Sequence, residues 1–280
     1  MSLRYNYRMS TSPAHGRSTN RRWRARLSYA AVAALAVTWL LLTPDGLLGK
    51  ADAVGYAVCH RIDLRSFHLG QRALPLCARC TGMYLAALLG LAYFSLRHPR
   101  AVRYPRRSIV IALALFALAW AVDGLNSFLS LFPTMPHLYA PSNTLRLMTG
   151  AGIGLALAAM IYPAFNQVAW RAGRDEPILR SWGELLLLLA LTAGLVALVL
   201  NGNPAVLYPL ALLSAAGVLV LLTTAYALIA IPFLRGMNSA SAWKELIPGL
   251  ILAAGLALLQ VGAIDVLRWL LTGTWDGFHL

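Results

Sequence analysis

The chain has 280 residues, of which 59% are hydrophobic and only 12% are charged, and its mean hydropathy is +0.64. This composition excludes an ordinary soluble domain and indicates an integral membrane protein. The formal net charge is +14, from 24 basic and 10 acidic residues. In a chain that crosses a membrane several times, basic residues are first of all orientation signals, so we expect no nucleic-acid partner.

Seven apolar stretches are long enough to cross the hydrocarbon core of a bilayer, about 30 Å thick, as helices. In chain order they cover residues 27–43, 74–96, 108–126, 145–165, 183–200, 206–231 and 246–271. They lack the strict alternation of barrel strands. The sequence therefore predicts an all-α, multi-pass transmembrane helical bundle. Residues 27–280 form one membrane domain, and residues 1–26 form a basic cytoplasmic tail.

The basic residues are distributed unevenly between the two sides of this bundle. Seven lie in residues 1–26, five in 97–107 and three in 171–180, with Arg235 and Lys244 on the same side, whereas loops 127–144 and 201–205 have none. Basic residues concentrate in cytoplasmic segments, so we expect the N-terminus inside and the C-terminus outside. The loop 44–80 is then extracytoplasmic. We expect the first span to be retained, with signal cleavage after Ala53 as the alternative.

All three cysteines of the chain lie in this loop or where it enters the second span. The stretch CHRIDLRSFHLGQRALPLCARC, residues 59–80, places Cys59 and His60 ahead of a C-x-x-C pair. The second helix could begin near Pro75, which would put Cys77 and Cys80 on one face of its first turns. It could also begin after Cys80, with Thr81 as the N-cap residue.

Three thiolates and an imidazole suit tetrahedral zinc or another thiophilic ion. We therefore predict a metal site of Cys59, Cys77, Cys80 and His60, with His68 as the alternative fourth ligand. Adjacent residues such as Cys59 and His60 can both bind one ion only if the backbone turns sharply there. Two alternatives remain for the C-x-x-C pair: thiol–disulfide exchange at the membrane face, and a structural disulfide. An odd cysteine count argues against both.

Two blocks of residues carry a family resemblance. The first consists of Cys59-His60, Arg65-Ser66-Phe67 and PLCARCTG at 75–82, and the second of Asp123, Ser142-Asn143, Leu145-Arg146, Thr149-Gly150 and Gly154. Together they resemble, over residues 55 to about 160, the prokaryotic membrane-protein family catalogued as domain of unknown function 2085. The resemblance implies a multi-pass fold around a Cys/His motif and brings no substrate. It favours His60 over His68, whose position is outside the pattern. We expect the protein in the prokaryotic plasma membrane.

The second block lies on the same predicted side as the cysteines. A carboxylate within hydrocarbon needs a partner, so we expect Asp123 to pair with Arg146, and Asn143 to cap the fourth span. In a catalytic version Asp123 is a general base beside the metal. Arg146, Arg65 and Asn143 would then hold an anionic lipid-like or small-molecule substrate. In a non-enzymatic version the protein is a transporter or scaffold, and the cysteine site only stiffens the loop.

Two further patterns lie within the predicted spans. Gly150 and Gly154, one turn apart, predict a close helix–helix contact. Asp265 and Arg268 near the end of the last span form either an i, i+3 pair or part of a cavity.

Overall fold

The computed structural model describes the backbone of residues 15–132 and 134–278, and side chains from residue 27 onward within these ranges. This part of the chain contains eight α-helices: α1 (His15–Leu42), α2 (Gly46–Val58), α3 (Ala78–Arg97), α4 (Arg107–Leu129), α5 (Asn143–Ala169), α6 (Trp182–Leu200), α7 (Pro204–Arg235) and α8 (Trp243–Thr272). Strand β1 (His68–Leu69) pairs antiparallel with β2 (Arg72–Ala73), and β3 (Ala101–Arg103) pairs parallel with β4 (Arg174–Pro177). The predicted all-α class is confirmed.

Six helices, α3 to α8, are long and apolar enough to cross a membrane. The segment Leu27–Leu42 of α1 and the helix α2 are bent by 108° at a short break and count together as a possible seventh span. The prediction of a multi-pass bundle with about seven spans is therefore confirmed. The orientation of its termini stays a prediction. The first half of the predicted basic tail, residues 1–14, lies outside the described residues.

The predicted loop 44–80 is largely ordered secondary structure rather than a plain connection. Its first part is α2, whose residues Ala53, Val54 and Tyr56 are fully or almost fully buried, and which contacts α7 and α8. A helix of 13 residues is too short to span a bilayer, so the sequence did not predict a span here although α2 is apolar. A 3₁₀ turn (Asp63–Arg65) and the β1–β2 hairpin complete the segment before α3.

Helices α3 and α5 lie side by side, in parallel, at the centre of the bundle. A Cβ on Gly82 of α3 would lie 2.2 Å from a backbone oxygen of α5. A Cβ on Gly150 or Gly154 of α5 would lie 2.1 Å from the carbonyl oxygen of Arg79 or Met83 of α3. Since real Cβ atoms do not approach so closely, these positions accept only glycine. The predicted close contact at Gly150 and Gly154 is confirmed.

One end of the bundle gathers the parts of the chain that the sequence singled out. The first turns of α3 and α5 and the last turns of α4 and α8 meet there, beside the C-terminal end of α2, the 3₁₀ turn and the β1–β2 hairpin. We call this end the cysteine end. The β3–β4 pair links the α3–α4 and α5–α6 connections at the other end.

Candidate metal centre and arginine cluster

The C-x-x-C pair lies at the start of α3. Cys77 is the N-cap residue, with an extended backbone, and Cys80 is in the first turn of the helix. Neither predicted start is right, because Pro75 precedes the helix and Thr81 lies inside it. The physical reason is contact with α2, which packs directly on the carbonyl of Pro75 and holds this segment extended. Both thiols therefore lie at a helix N-terminus, where partial positive charge favours thiolate.

The structure brings all three cysteines together. The sulfur atoms of Cys59, Cys77 and Cys80 all lie within 4.8 Å of one another, and none of them is in a disulfide. Cys59 is 7% exposed and Cys77 only 3%. Sulfurs that bind one tetrahedral zinc ion at about 2.3 Å lie about 3.8 Å apart. The trio is therefore close to the arrangement that such an ion needs.

The backbone around Cys59 supports negative charge on sulfur. Its Sγ accepts the N–H of Cys77 at 3.3 Å and the N–H of Arg61 at 3.5 Å. Arg61 has a φ of 52°, in the left-handed region, so the chain reverses direction directly after His60. Cys59 itself is extended, with φ −136° and ψ 145°, so this bend follows His60 and does not by itself turn the His60 ring toward the sulfur of Cys59.

Mutual hydrogen bonding makes one of the three thiols much more acidic than the others. Hydrogen bonds from Cys59 and then Cys80 lower the pKa of Cys77 well below its usual range against the effect of burial, and His60 acts in the same direction. The hydrogen bond to Cys77 raises the pKa of Cys59 to about 12. Cys77 is therefore the thiol that the cluster makes easiest to deprotonate, and metal binding would require the other two thiols to lose their protons as well.

The two candidate histidines differ in position. Nδ1 of His60 accepts the N–H of Ile62 at 3.0 Å, which leaves Nε2 as the ring nitrogen for a ligand. His60 influences Cys77 but does not lie within 4.8 Å of all three sulfurs. His68 instead contacts Asp63 at 2.9 Å on the exposed hairpin and is not brought to the sulfurs. The fourth ligand stays a prediction, and the structure favours His60 for it.

The buried carboxylate of the second block has a different partner from the predicted one. Asp123 is 1% exposed and pairs with Arg79, whose Nε donates to Oδ2 at 3.2 Å, and not with Arg146. Tyr139 donates to Oδ1 at 3.0 Å, and Thr149 to Oδ2 at 3.3 Å. The prediction failed because the close packing of α3 on α5 turns the first turn of α3, with Arg79, toward the last turns of α4.

Asn143 joins α5 to the cysteine segment rather than capping the helix. Ser142 is the cap, because its hydroxyl accepts the N–H of Leu145 at 3.2 Å. The amide of Asn143 donates to the carbonyls of Leu64 and Ser66 at 3.2 and 3.3 Å. It therefore fixes the short segment on either side of Arg65.

Arg65 and Arg146 form no ion pair with a carboxylate in the described part of the chain, unlike Arg79. Arg65 donates to the carbonyl of Ser127 at 2.8 Å, and Arg146 to Oδ1 of Asn143 at 2.8 Å. Burial, followed by the charge of Arg79, lowers the pKa of Arg65. Nε of Arg146, a residue 7% exposed, is buried without a hydrogen-bond partner among the described residues. A negative charge on Cys77 would attract both arginines.

Sequence reasoning missed the contribution of α8. Arg268 donates to the carbonyls of Tyr56 and Cys59 at 2.7 Å each and approaches that of His60 at 3.3 Å. It also stacks on the ring of Tyr56. The sequence marked Arg268 as a charge near a span end, but nothing in the pattern linked it to residues about 210 positions earlier.

The fold and this site define a multi-pass membrane protein with a three-cysteine cluster at one end of its helices. The chain belongs to the family described as "Predicted membrane protein (DUF2085)", which matches residues 59–160. The match takes in all three cysteines, α3, α4 and most of α5, and it confirms the resemblance carried by the two blocks. Helices α6 to α8 lie outside it.

Two archaeal proteins are similar to this part of the chain. An uncharacterised protein of Methanothermobacter thermautotrophicus is 33% identical over 106 residues, which are 37% of this chain and 86% of the relative. The uncharacterised protein MJ1492 of Methanocaldococcus jannaschii is 27% identical over 121 residues, 42% of this chain and 70% of the relative. No solved structure matches the chain.

Proposed function

We propose that the protein binds one thiophilic metal ion, zinc in the first place, through Cys59, Cys77, Cys80 and His60. The observation that supports this proposal is the grouping of three unpaired sulfurs within 4.8 Å, two of them buried. The donor set suits zinc, since soft thiolates with one imidazole form tetrahedral sites. When bound, the ion would tie α2 to the start of α3 and could supply Lewis acidity there.

The charges around the sulfurs fit this assignment. Three thiolates around a divalent cation leave one net negative charge, and Arg65 and Arg146 are positioned to compensate it. Two guanidinium groups beside one negative charge give a net charge of about +1. Because Asp123 is already engaged by Arg79, it does not neutralise that excess.

We infer that this excess serves to bind an anionic ligand. Arg65, Asn143 and Arg146 lie next to one another, and the unpartnered Nε of Arg146 offers a donor. Phosphate and carboxylate groups are the usual partners of arginine donors. In a membrane protein the head group of an anionic lipid, or of a lipid-like substrate, is the available source. General-base catalysis by Asp123 stays a prediction.

The proposed location of the site is the extracytoplasmic face of a prokaryotic plasma membrane. It is supported by the concentration of basic residues in the segments at the other end of the bundle. Asp63→Cys and Asp175→Cys test it, because these side chains are 73% and 84% exposed and lie at opposite ends. In whole cells a membrane-impermeant maleimide should label the Asp63→Cys variant above the wild-type level and leave the Asp175→Cys variant at that level. The reverse would contradict the orientation.

Cobalt substitution tests the metal site. Protein reconstituted with Co²⁺ should show the intense sulfur-to-metal charge-transfer bands and visible bands of a tetrahedral thiolate site. Cys77→Ser should weaken the charge-transfer bands, and His60→Ala should shift the visible bands. His68→Ala is the matched control and should leave the spectrum unchanged. A folded wild-type protein without charge-transfer bands would contradict the proposal.

Thiol–disulfide exchange is the second candidate function. The lowered pKa of Cys77 favours it, because the thiolate is the form that attacks a disulfide. In that case Cys80 would be the partner in the internal disulfide, and Cys59 would only contribute hydrogen bonds. The state of the thiols in purified protein separates the two functions.

A further inference from the structure

A groove lies between α1 and the second half of α8, at the cysteine end of the bundle. Its volume is about 800 Å³, within the range of small-molecule sites. The walls are mainly apolar and include Leu35, Trp39, Gly262, Trp269 and Trp275. Tryptophan side chains are enriched at the membrane–water interface, where head groups and chains of amphiphiles meet.

One carboxylate lines this groove. Asp265 is 2% exposed, and its Oδ2 accepts the indole N–H of Trp39 at 3.0 Å. Its Oδ1 is buried and has no hydrogen-bond partner within the described ranges. Arg268, one turn further along α8, does not supply one, because its guanidinium is directed at the carbonyls of Tyr56 and Cys59. A carboxylate oxygen left unpaired in an apolar site is costly, and the cost falls when a ligand donates to it.

We propose that the groove binds a neutral amphiphile, with its apolar chain between α1 and α8 and a hydroxyl head group that donates to Oδ1 of Asp265. A plain acyl chain would fill the volume but leave Oδ1 unpaired. An ammonium head would be attracted by the carboxylate, but it would have to be desolvated and would be repelled by the nearby Arg268; a neutral hydroxyl avoids both costs. The site is separate from the proposed metal centre and does not depend on it.

Photo-crosslinking with a matched pair of probes tests the proposal. The probes are a long-chain alcohol with a diazirine on its chain and the methyl ether of the same molecule, which cannot donate. Each is added to the full-length protein in phosphatidylcholine nanodiscs, and labelled peptides are identified by mass spectrometry. The alcohol should label the segments 35–43 and 259–275 about tenfold more than the ether, because one hydrogen bond to a charged group is gained.

Three variants locate the effect. Asp265→Asn should bring labelling by the alcohol down to that by the ether, whereas Asp175→Asn, an exposed carboxylate at the other end, should preserve the preference. Ala263→Phe, at an exposed position of the groove wall, should reduce labelling by both probes. If Asp265→Asn does not fold, the ratio of alcohol to ether labelling in the wild type and the result for Ala263→Phe still test the proposal. Equal labelling of the wild type by both probes, or no labelling of these segments, would overturn the proposal.

Discussion

Arg79, which stands between Cys77 and Cys80 in the sequence, forms an ion pair with the buried Asp123 of α4. Its Nε donates to Oδ2 at 3.2 Å, and the same side chain reaches the hydroxyl of Ser127 at 3.0 Å. One helical turn therefore fixes both the separation of the two thiols and the position of the guanidinium. The cysteine cluster and the buried carboxylate are held by the same element, so a change at one is expected to affect the stability of the other.

Replacing Asp123 by Asn should destabilise the protein without removing the metal. The substitution leaves the guanidinium of Arg79, 16% exposed, without its counter-charge, and breaking a buried pair in this way costs about 3 kcal/mol or more. We expect a clearly lower Tm in detergent and an unchanged ratio of metal to protein, because Asp123 contacts none of the sulfurs.

Asp175→Asn is the control for that change. Asp175 is 84% exposed and lies 3.8 Å from Arg103, so the same substitution there should alter the free energy of unfolding by less than about 1 kcal/mol. Equal Tm values for the two variants would show that the Arg79–Asp123 pair contributes nothing to stability.

Gly150→Ala should destabilise the cysteine end directly. The new methyl group would lie 2.1 Å from the carbonyl oxygen of Arg79, a backbone atom that cannot move without shifting the start of α3. Overpacking of this kind costs about 1–3 kcal/mol. Gly194→Ala on α6, where a Cβ meets nothing within 4 Å, should be neutral or slightly stabilising. Thermal unfolding of both variants checks this, and a tolerated Gly150→Ala would contradict the parallel α3–α5 contact.

Arg268→Met should weaken metal binding, although Arg268 is not a ligand. The substitution removes the donors that hold the carbonyls of Tyr56 and Cys59 while retaining most of the side-chain bulk. Removing a group that orients a metal ligand typically lowers the affinity for the metal about 10–100-fold. Competition with a chelator would measure this decrease. Arg235→Met is the control. Arg235, at the end of α7, pairs with Glu245 in the first turn of α8 at 3.1 Å, far from the cysteines, so its replacement should have no effect on the affinity for the metal.

Arg146→Gln should reduce the binding of anionic amphiphiles. Glutamine keeps a donor to Asn143 but removes the positive charge and the unpartnered Nε. The affinity for a fluorescent anionic phospholipid in detergent should fall about tenfold, and the wild-type affinity should decrease with salt. Arg174→Gln, at a site 60% exposed, serves as the control. Equal affinities of the two variants would rule out an anion site at Arg146.

Most of the fold follows from hydrophobicity alone. The stretches 108–126 and 183–200 agree with α4 and α6 to within a few residues, because each is a single apolar run bounded by charged or turn residues. Helix α2 was missed, since 13 residues joined to α1 through a sharp bend look like part of a loop. Its burial depends on α7 and α8, which are far away in the sequence.

The sequence indicated that the three cysteines would act together, but it did not predict the contacts that surround them. Three cysteines in a membrane chain are a strong chemical signal, and the structure gathers them. The partner of Asp123 was not predictable, because Arg79 and Arg146 lie at the same end and the choice depends on the parallel packing of α3 and α5. The link between Arg268 and Cys59 is likewise a property of tertiary packing alone.

The measurement that tests the metal assignment most directly is elemental analysis of detergent-purified protein, combined with a thiol count on the same denatured sample with and without reductant. A metal centre predicts about one zinc or similar ion per chain and three free thiols after denaturation in both conditions. No bound metal, with one free thiol that becomes three on reduction, would contradict it and establish a disulfide among the three cysteines instead.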